Sequence, residues 1–314
     1  MKIQMKCPAI AFCICAAMLA TGCSQDEALT SPAGGIGRQV PLTITSAALQ
    51  TEVTATRAST QLGAGATIGV FLDNVAGSSS YTRMYNVPYS CGGAAWSPGT
   101  EAARIYLTSD DANVCAYYPY RNNIYNNILS LAPRLLADGE APLAYATYKT
   151  VNADNKNVTF SMTQACSWLV IAFKRGNTKD DITLSEFSLT NSGLYKESVL
   201  NITDGSTTDT AADGGKVTFT GDIALPKNST VTRNLSMPPS SALTGGLKVS
   251  VKVKEYGNKV LSTTLTGLTA LARGYKYAVT LTVDGSELGI SSVEVLPWTT
   301  TTVNNGGSPW VPLP

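Results

Sequence analysis

Catalysis needs bases, nucleophiles or metal ligands placed together, and this 314-residue chain has few of them. It contains no histidine, which removes the commonest metal ligand and the side chain that titrates nearest neutrality. Two adjacent carboxylate pairs, Asp110-Asp111 and Asp180-Asp181, come closest to an acid–base dyad. Neighbouring residues on a strand point to opposite faces, so both pairs suit solvated turns instead. Gly214-Gly215-Lys216-Val217 lacks the spacing and the hydroxyl of a phosphate-binding loop, and no GxSxG elbow is present. The seven cysteines form no CxxC pair. Cys91, Cys115 and Cys166, the three beyond the N-terminal region, suit buried thiols serving as small apolar residues; one disulfide plus a spare thiol is the alternative. Neither an enzyme nor a cofactor nor a metal is expected.

Chemistry done to the chain is another matter. Lys2 and Lys6 precede an apolar run from Pro8 to Ala20, the plan of a secretory signal peptide and too short for a comfortable transmembrane helix. The run ends in Leu19-Ala20-Thr21-Gly22-Cys23, which resembles the lipobox of bacterial lipoproteins, although Ala20 stands where leucine is favoured. That resemblance implies that residues 1–22 are removed and that Cys23 carries acyl chains, palmitate among them, on its sulfur and new amino terminus. An ordinary signal peptide with a chance cysteine is the alternative. Ser24-Gln25-Asp26-Glu27 is similar to acidic signals that send lipoproteins of some Gram-negative anaerobes to the cell surface. The expected location is the outer membrane, surface exposed.

What remains must fold as a β protein. Charged residues make up 14% of the chain and the formal net charge is +1, so no long-range field draws nucleic acid or anionic lipid. Val40–Thr45 alternates apolar and polar, a first strand presenting Val40, Leu42 and Ile44 on one face. Ile68-Gly69-Val70-Phe71-Leu72 suits a strand buried on both faces. Lys248-Val249-Ser250-Val251-Lys252-Val253-Lys254 is the cleanest alternation, valines inward and lysines outward, and Tyr277–Val283 repeats it. Strand follows strand with no helical period between, which favours sandwiches over parallel βαβ units. The expected organisation is a lipidated propeptide with the first strand over 23–57, one sandwich over 58–155 and a second over 156–314.

The order of several pieces resembles the fimbrillins, the type V pilins of Gram-negative anaerobes: the lipobox, the first strand, the isolated Arg57, Ile68–Phe71, Trp96 and Ile105-Tyr106. Val114-Cys115-Ala116-Tyr117-Tyr118-Pro119-Tyr120 and the closing Gly274-Tyr275-Lys276-Tyr277 to Trp298 complete it. The resemblance implies an all-β fold of two transthyretin-like Greek-key sandwiches, and an assembly mechanism. An arginine-specific protease cuts after Arg57, making Ala58 the new N-terminus, and the first strand leaves with its lipid. The C-terminal segment of another pilin subunit then fills the groove. Candidate donor residues are Ile290, Val293, Val295, Trp298 and Val303, which points to a stalk subunit of a fimbrium. Taken alone, Ile290–Trp298 is simply the last strand of its own sandwich, and Arg57 a solvated arginine in a small-residue loop. The rival function is a surface lipoprotein or tip adhesin that binds host or bacterial glycans without polymerising, with Tyr106, Tyr117, Tyr118, Tyr120 and Tyr125 as a sugar-stacking face.

Overall fold

The computed structural model describes residues 38–50, 59–177, 181–285 and 287–297. Strands dominate it. The helical exceptions among the described residues are three 3-10 turns, Glu101–Ala103, Asp213–Gly215 and Lys254–Tyr256, and no helix there is long and apolar enough to cross a membrane.

The first core lies within an eight-stranded sheet ordered Ser59–Gln61, Thr43–Gln50, Asn157–Gln164, Ala144–Val151, Ala112–Tyr118, Thr67–Asn74, Met84–Cys91 and Trp96–Pro98. The strand Thr67–Asn74 is buried on both faces, as its unbroken apolar run requires: Ile68, Val70 and Leu72 join the main cluster, while Phe71 joins a second one with Cys115, Tyr117 and Leu200. Gly69 makes this packing possible, because a Cβ there would stand 2.2 Å from Cε1 of Tyr117. Tyr117 is fully buried, and its hydroxyl accepts from the Arg121 amide at 2.9 Å while facing Asn86 Oδ1 at 2.7 Å. Burial pushes its pKa up to about 12.

The second core lies between a five-stranded sheet and a four-stranded one. The five run in the order Arg134–Leu135, Thr230–Met237, Ser167–Arg175, Tyr275–Asp284 and Glu287–Pro297; the four in the order Lys216–Leu225, Ile182–Thr190, Leu247–Val253 and Lys259–Leu265. Val249, Val251 and Val253 are at most 1% exposed, and Lys248 and Lys252 face outward, as the alternation demands.

Three strand placements depend on long-range contacts. Asn157–Gln164 belongs to the eight-stranded sheet, Ile128–Leu131 pairs with Tyr195–Asn201, and Arg134–Leu135 pairs with Thr230–Met237. Among the described residues two strand pairs are parallel, Thr43–Gln50 with Asn157–Gln164 and Ser167–Arg175 with Tyr275–Asp284. Cys91, Cys115 and Cys166 are free thiols in the interior, and burial pushes the Cys115 and Cys166 pKa values up.

Candidate functional site

No cluster of three potential metal ligands occurs among the described residues, and the features that distinguish this chain lie at the first and last of the described strands. The first strand is stitched between two layers. Val40 and Pro41 pair with Leu107 and Tyr106; the Leu42 amide donates to the Ile105 carbonyl at 2.9 Å and the Thr43 amide to that of Lys156 at 2.9 Å. From there the chain runs parallel to Asn157–Gln164. Val40, Leu42, Ile44, Ala47, Ala48 and Leu49 are all buried, with Ala47 and Leu49 at 0% exposure. Burying the four larger ones contributes roughly 1.5–3 kcal/mol each.

Ile44 and Ala47 are three residues apart, a spacing that would put them on opposite faces of a regular strand. A register shift resolves this: Ile44 pairs with Val158 but Ser46 pairs with Thr159, leaving Thr45 as the extra residue. Its hydroxyl donates to the Val158 carbonyl at 3.0 Å and lies 2.8 Å from the Thr159 hydroxyl. The row facing the core is therefore Leu42, Ile44, Ala47 and Leu49, with spacings of two, three and two.

The last strand, Glu287–Pro297, hangs on the edge of the five-stranded sheet and pairs antiparallel with Tyr275–Asp284. Directly opposed residues share a face in such a pair. Leu288, Ile290, Val293 and Val295 oppose Val283, Leu281, Val279 and Tyr277, all of which are buried. Here too a register shift intervenes, with Ser291 as the extra residue and its hydroxyl 2.7 Å from that of Thr282. The spacing of the row is again two, three and two. Only its first member is covered: Leu288 is 7% exposed, whereas Ile290, Val293 and Val295 are 44%, 39% and 49% exposed.

Three of the expected donor residues are thus brought together on one face. Trp298 and Val303 lie outside the described residues, as do Cys23, Arg57 and Ala58. Arg57 falls in the connection between two described strands whose ends, Gln50 and Ser59, oppose each other. Sequence reasoning missed Leu288 and the roles of Thr45 and Ser291, because an odd spacing resembles a break in the pattern until the partner strand is known. Nor do the tyrosines form one stacking face: Tyr117 is core, and Tyr106 at 42% and Tyr125 at 79% exposure are the open ones.

Residues 56–298 match the family model described as fimbrillin-like. The chain belongs to the fimbrillin-like family. Solved structures agree on the fold. A protein provisionally assigned to cell adhesion from Bacteroides ovatus is 17% identical, with a TM-score of 0.58 over 84% of this chain and 99% of its own. One from Bacteroides uniformis is 20% identical, with a TM-score of 0.54 over 81% and 100%. Another from Bacteroides fragilis is 13% identical, with a TM-score of 0.51 over 84% and 100%. No curated protein matches the sequence. Membership of the family points to a structural, non-enzymatic protein of the cell surface that associates with other fimbrial subunits.

Proposed function

We propose that this fimbrillin-like protein is a stalk pilin that polymerises by strand exchange. It is exported as a lipoprotein acylated at Cys23 and cut between Arg57 and Ala58 by an arginine-specific protease. Loss of the first strand opens the groove beside Asn157–Gln164, and the last strand of a second subunit fills it. The groove would lie in the eight-stranded sheet and the donor on the edge of the five-stranded one, so that each subunit receives at one sheet and gives from another.

The observation that carries this reading is the shared spacing of the two terminal strands. Leu42, Ile44, Ala47 and Leu49 fill the groove; Leu288, Ile290, Val293 and Val295 offer the same intervals, three of the four still exposed to water. The sequence of intervals is the same in both directions, so the donor can reproduce it whichever way it runs. Backbone groups left open on Asn157–Gln164 gain partners, and an exposed apolar row becomes buried. Four side chains at about 1.5–3 kcal/mol each give a gross gain of roughly 6–12 kcal/mol, part of which is offset by ordering the donor.

The test is digestion of the purified full chain with an arginine-specific protease, followed by mass and by electrophoresis in SDS. Loss of the segment ending at Arg57 together with an SDS-resistant ladder supports the reading. A chain cut at Arg57 that stays monomeric counts against it.

A further inference from the structure

A second site of a different kind lies on the outer face of the four-stranded sheet. Register alone places its members. Thr190 sits between Lys216 on one neighbouring strand and Lys248 on the other, Ser188 is directly opposite Ser250, and Glu186 is directly opposite Lys252. These residues line an open cavity of about 200 Å³.

The charges in it do not cancel. Three ammoniums face one carboxylate: Lys252 Nζ lies 2.7 Å from Glu186 Oε2, Lys216 Nζ is 3.9 Å from Oε1, and Lys248 makes no ion pair among the described residues. Lys216 and Lys248 are two strands apart, about 9–10 Å between backbones, so both side chains can reach one group held above Thr190. The floor offers hydroxyls as well. Ser188 is only 3% exposed, lines the cavity, and its hydroxyl has no hydrogen-bond partner among the described residues. Sheet faces turned to water ordinarily intersperse opposite charges, because like charges side by side are destabilising. Two lysines flanking a threonine in one row depart from that pattern.

We propose that this cavity binds an acidic glycan. Its carboxylate or sulfate ester lies between Lys216 and Lys248, and its ring hydroxyls exchange hydrogen bonds with Ser188 and Ser250, whose hydroxyls both donate and accept. Glu186 accepts from a further sugar hydroxyl. A bare inorganic anion would accept from the lysines and the serine hydroxyls but leave the acceptor capacity of those hydroxyls and of Glu186 unused. Charge-assisted hydrogen bonds supply the affinity, and the hydroxyls supply the preference for a polyol.

Calorimetry on the full chain in detergent tests this, with four probes: a sulfated heparin trisaccharide, trigalacturonic acid, maltotriose and inorganic sulfate. At least one acidic trisaccharide is expected to bind, at least about tenfold more tightly than either maltotriose or sulfate. Which acid binds identifies the anionic group. Lys216→Gln with Lys248→Gln should weaken that binding by about tenfold or more, while Lys149→Gln with Lys156→Gln, the same loss of charge elsewhere, should leave it within about twofold. The proposal is overturned if neither acid binds, if sulfate binds as tightly as the acid (an adventitious ion only), or if both double variants lose affinity alike. Strand exchange has no part in this readout, so either proposal can fail without the other.

Discussion

Thr45 and Ser291 hold the same place in the two terminal strands. Each is the one extra residue at a register shift, each follows an isoleucine that faces the core side, and each has its hydroxyl within 2.8 Å of another hydroxyl, Thr159 for Thr45 and Thr282 for Ser291. Their surroundings differ in pairing direction, parallel for Thr45 and antiparallel for Ser291, and in exposure. The row around Thr45 is buried, and the row around Ser291 is open from Ile290 onward.

The open row separates stability from assembly. Val293→Asp changes a residue that is 39% exposed in the uncut chain, so its unfolding free energy should shift by no more than about 0.5 kcal/mol. Polymerisation should disappear, because the aspartate would be buried in the groove of the next subunit. Urea melts and SDS ladders on the same sample measure the two effects; a ladder of wild-type length from the variant would remove Val293 from the interface.

Leu49→Ala acts at the other end. Leu49 is 0% exposed, and its truncation should destabilise the uncut chain by about 2–5 kcal/mol. The same change weakens the hold on the first strand, so after proteolysis the propeptide should leave faster. Equilibrium urea denaturation measures the first effect and the rate of propeptide release the second.

Gln164 continues the inward row Val158, Phe160, Met162 of its strand, one step past Leu49, the last paired residue of the first strand. It is 1% exposed and neither its amide nitrogen nor its amide oxygen has a partner among the described residues. Gln164→Leu removes two unsatisfied buried groups at similar volume and should raise stability by about 1–3 kcal/mol. A urea midpoint that falls would mean that this amide is satisfied in solution.

Tyr117 sets a limit at alkaline pH. Its pKa is raised from 10.0 to about 12 in the folded chain, chiefly by burial. A raised pKa contributes stability that is fully present below pH 10 and lost as pH climbs through 12, on the order of 2–3 kcal/mol. Stability measured from pH 9 to 12 should fall, and Tyr117→Phe should fall less steeply over the same range. Equal slopes would assign the loss to other groups.

Much of the fold is legible in residue alternation. Val249, Val251 and Val253 point inward and Lys248 and Lys252 outward because a two-residue period admits one arrangement against a core. Ile68–Leu72 is buried on both faces because nothing polar interrupts it before Asp73. The parallel pairing of Thr43–Gln50 with Asn157–Gln164 has no local signal, since its partners lie more than a hundred residues apart. The shifts at Thr45 and Ser291 are hidden for the same reason: a spacing of three acquires meaning only opposite a partner strand. The lysine cavity escapes notice because Lys216 follows a glycine pair that suggests a failed phosphate loop, while Lys248 belongs to an ordinary amphipathic strand. Register alone makes them neighbours of Thr190.

The claim that one subunit's last strand takes the place of another's first is tested most directly by a cysteine trap. Thr45 lies against Thr159 in the uncut chain, and in the polymer Ser291 of a second copy, running in the same direction as the strand it displaces, should replace it. With Thr159→Cys and Ser291→Cys in the same chain, mild oxidation after cleavage at Arg57 should give a ladder of disulfide-linked copies that collapses on reduction. The uncut double variant should stay monomeric under the same conditions. A cleaved double variant that forms no intermolecular disulfide, while the polymer still assembles, would contradict the account.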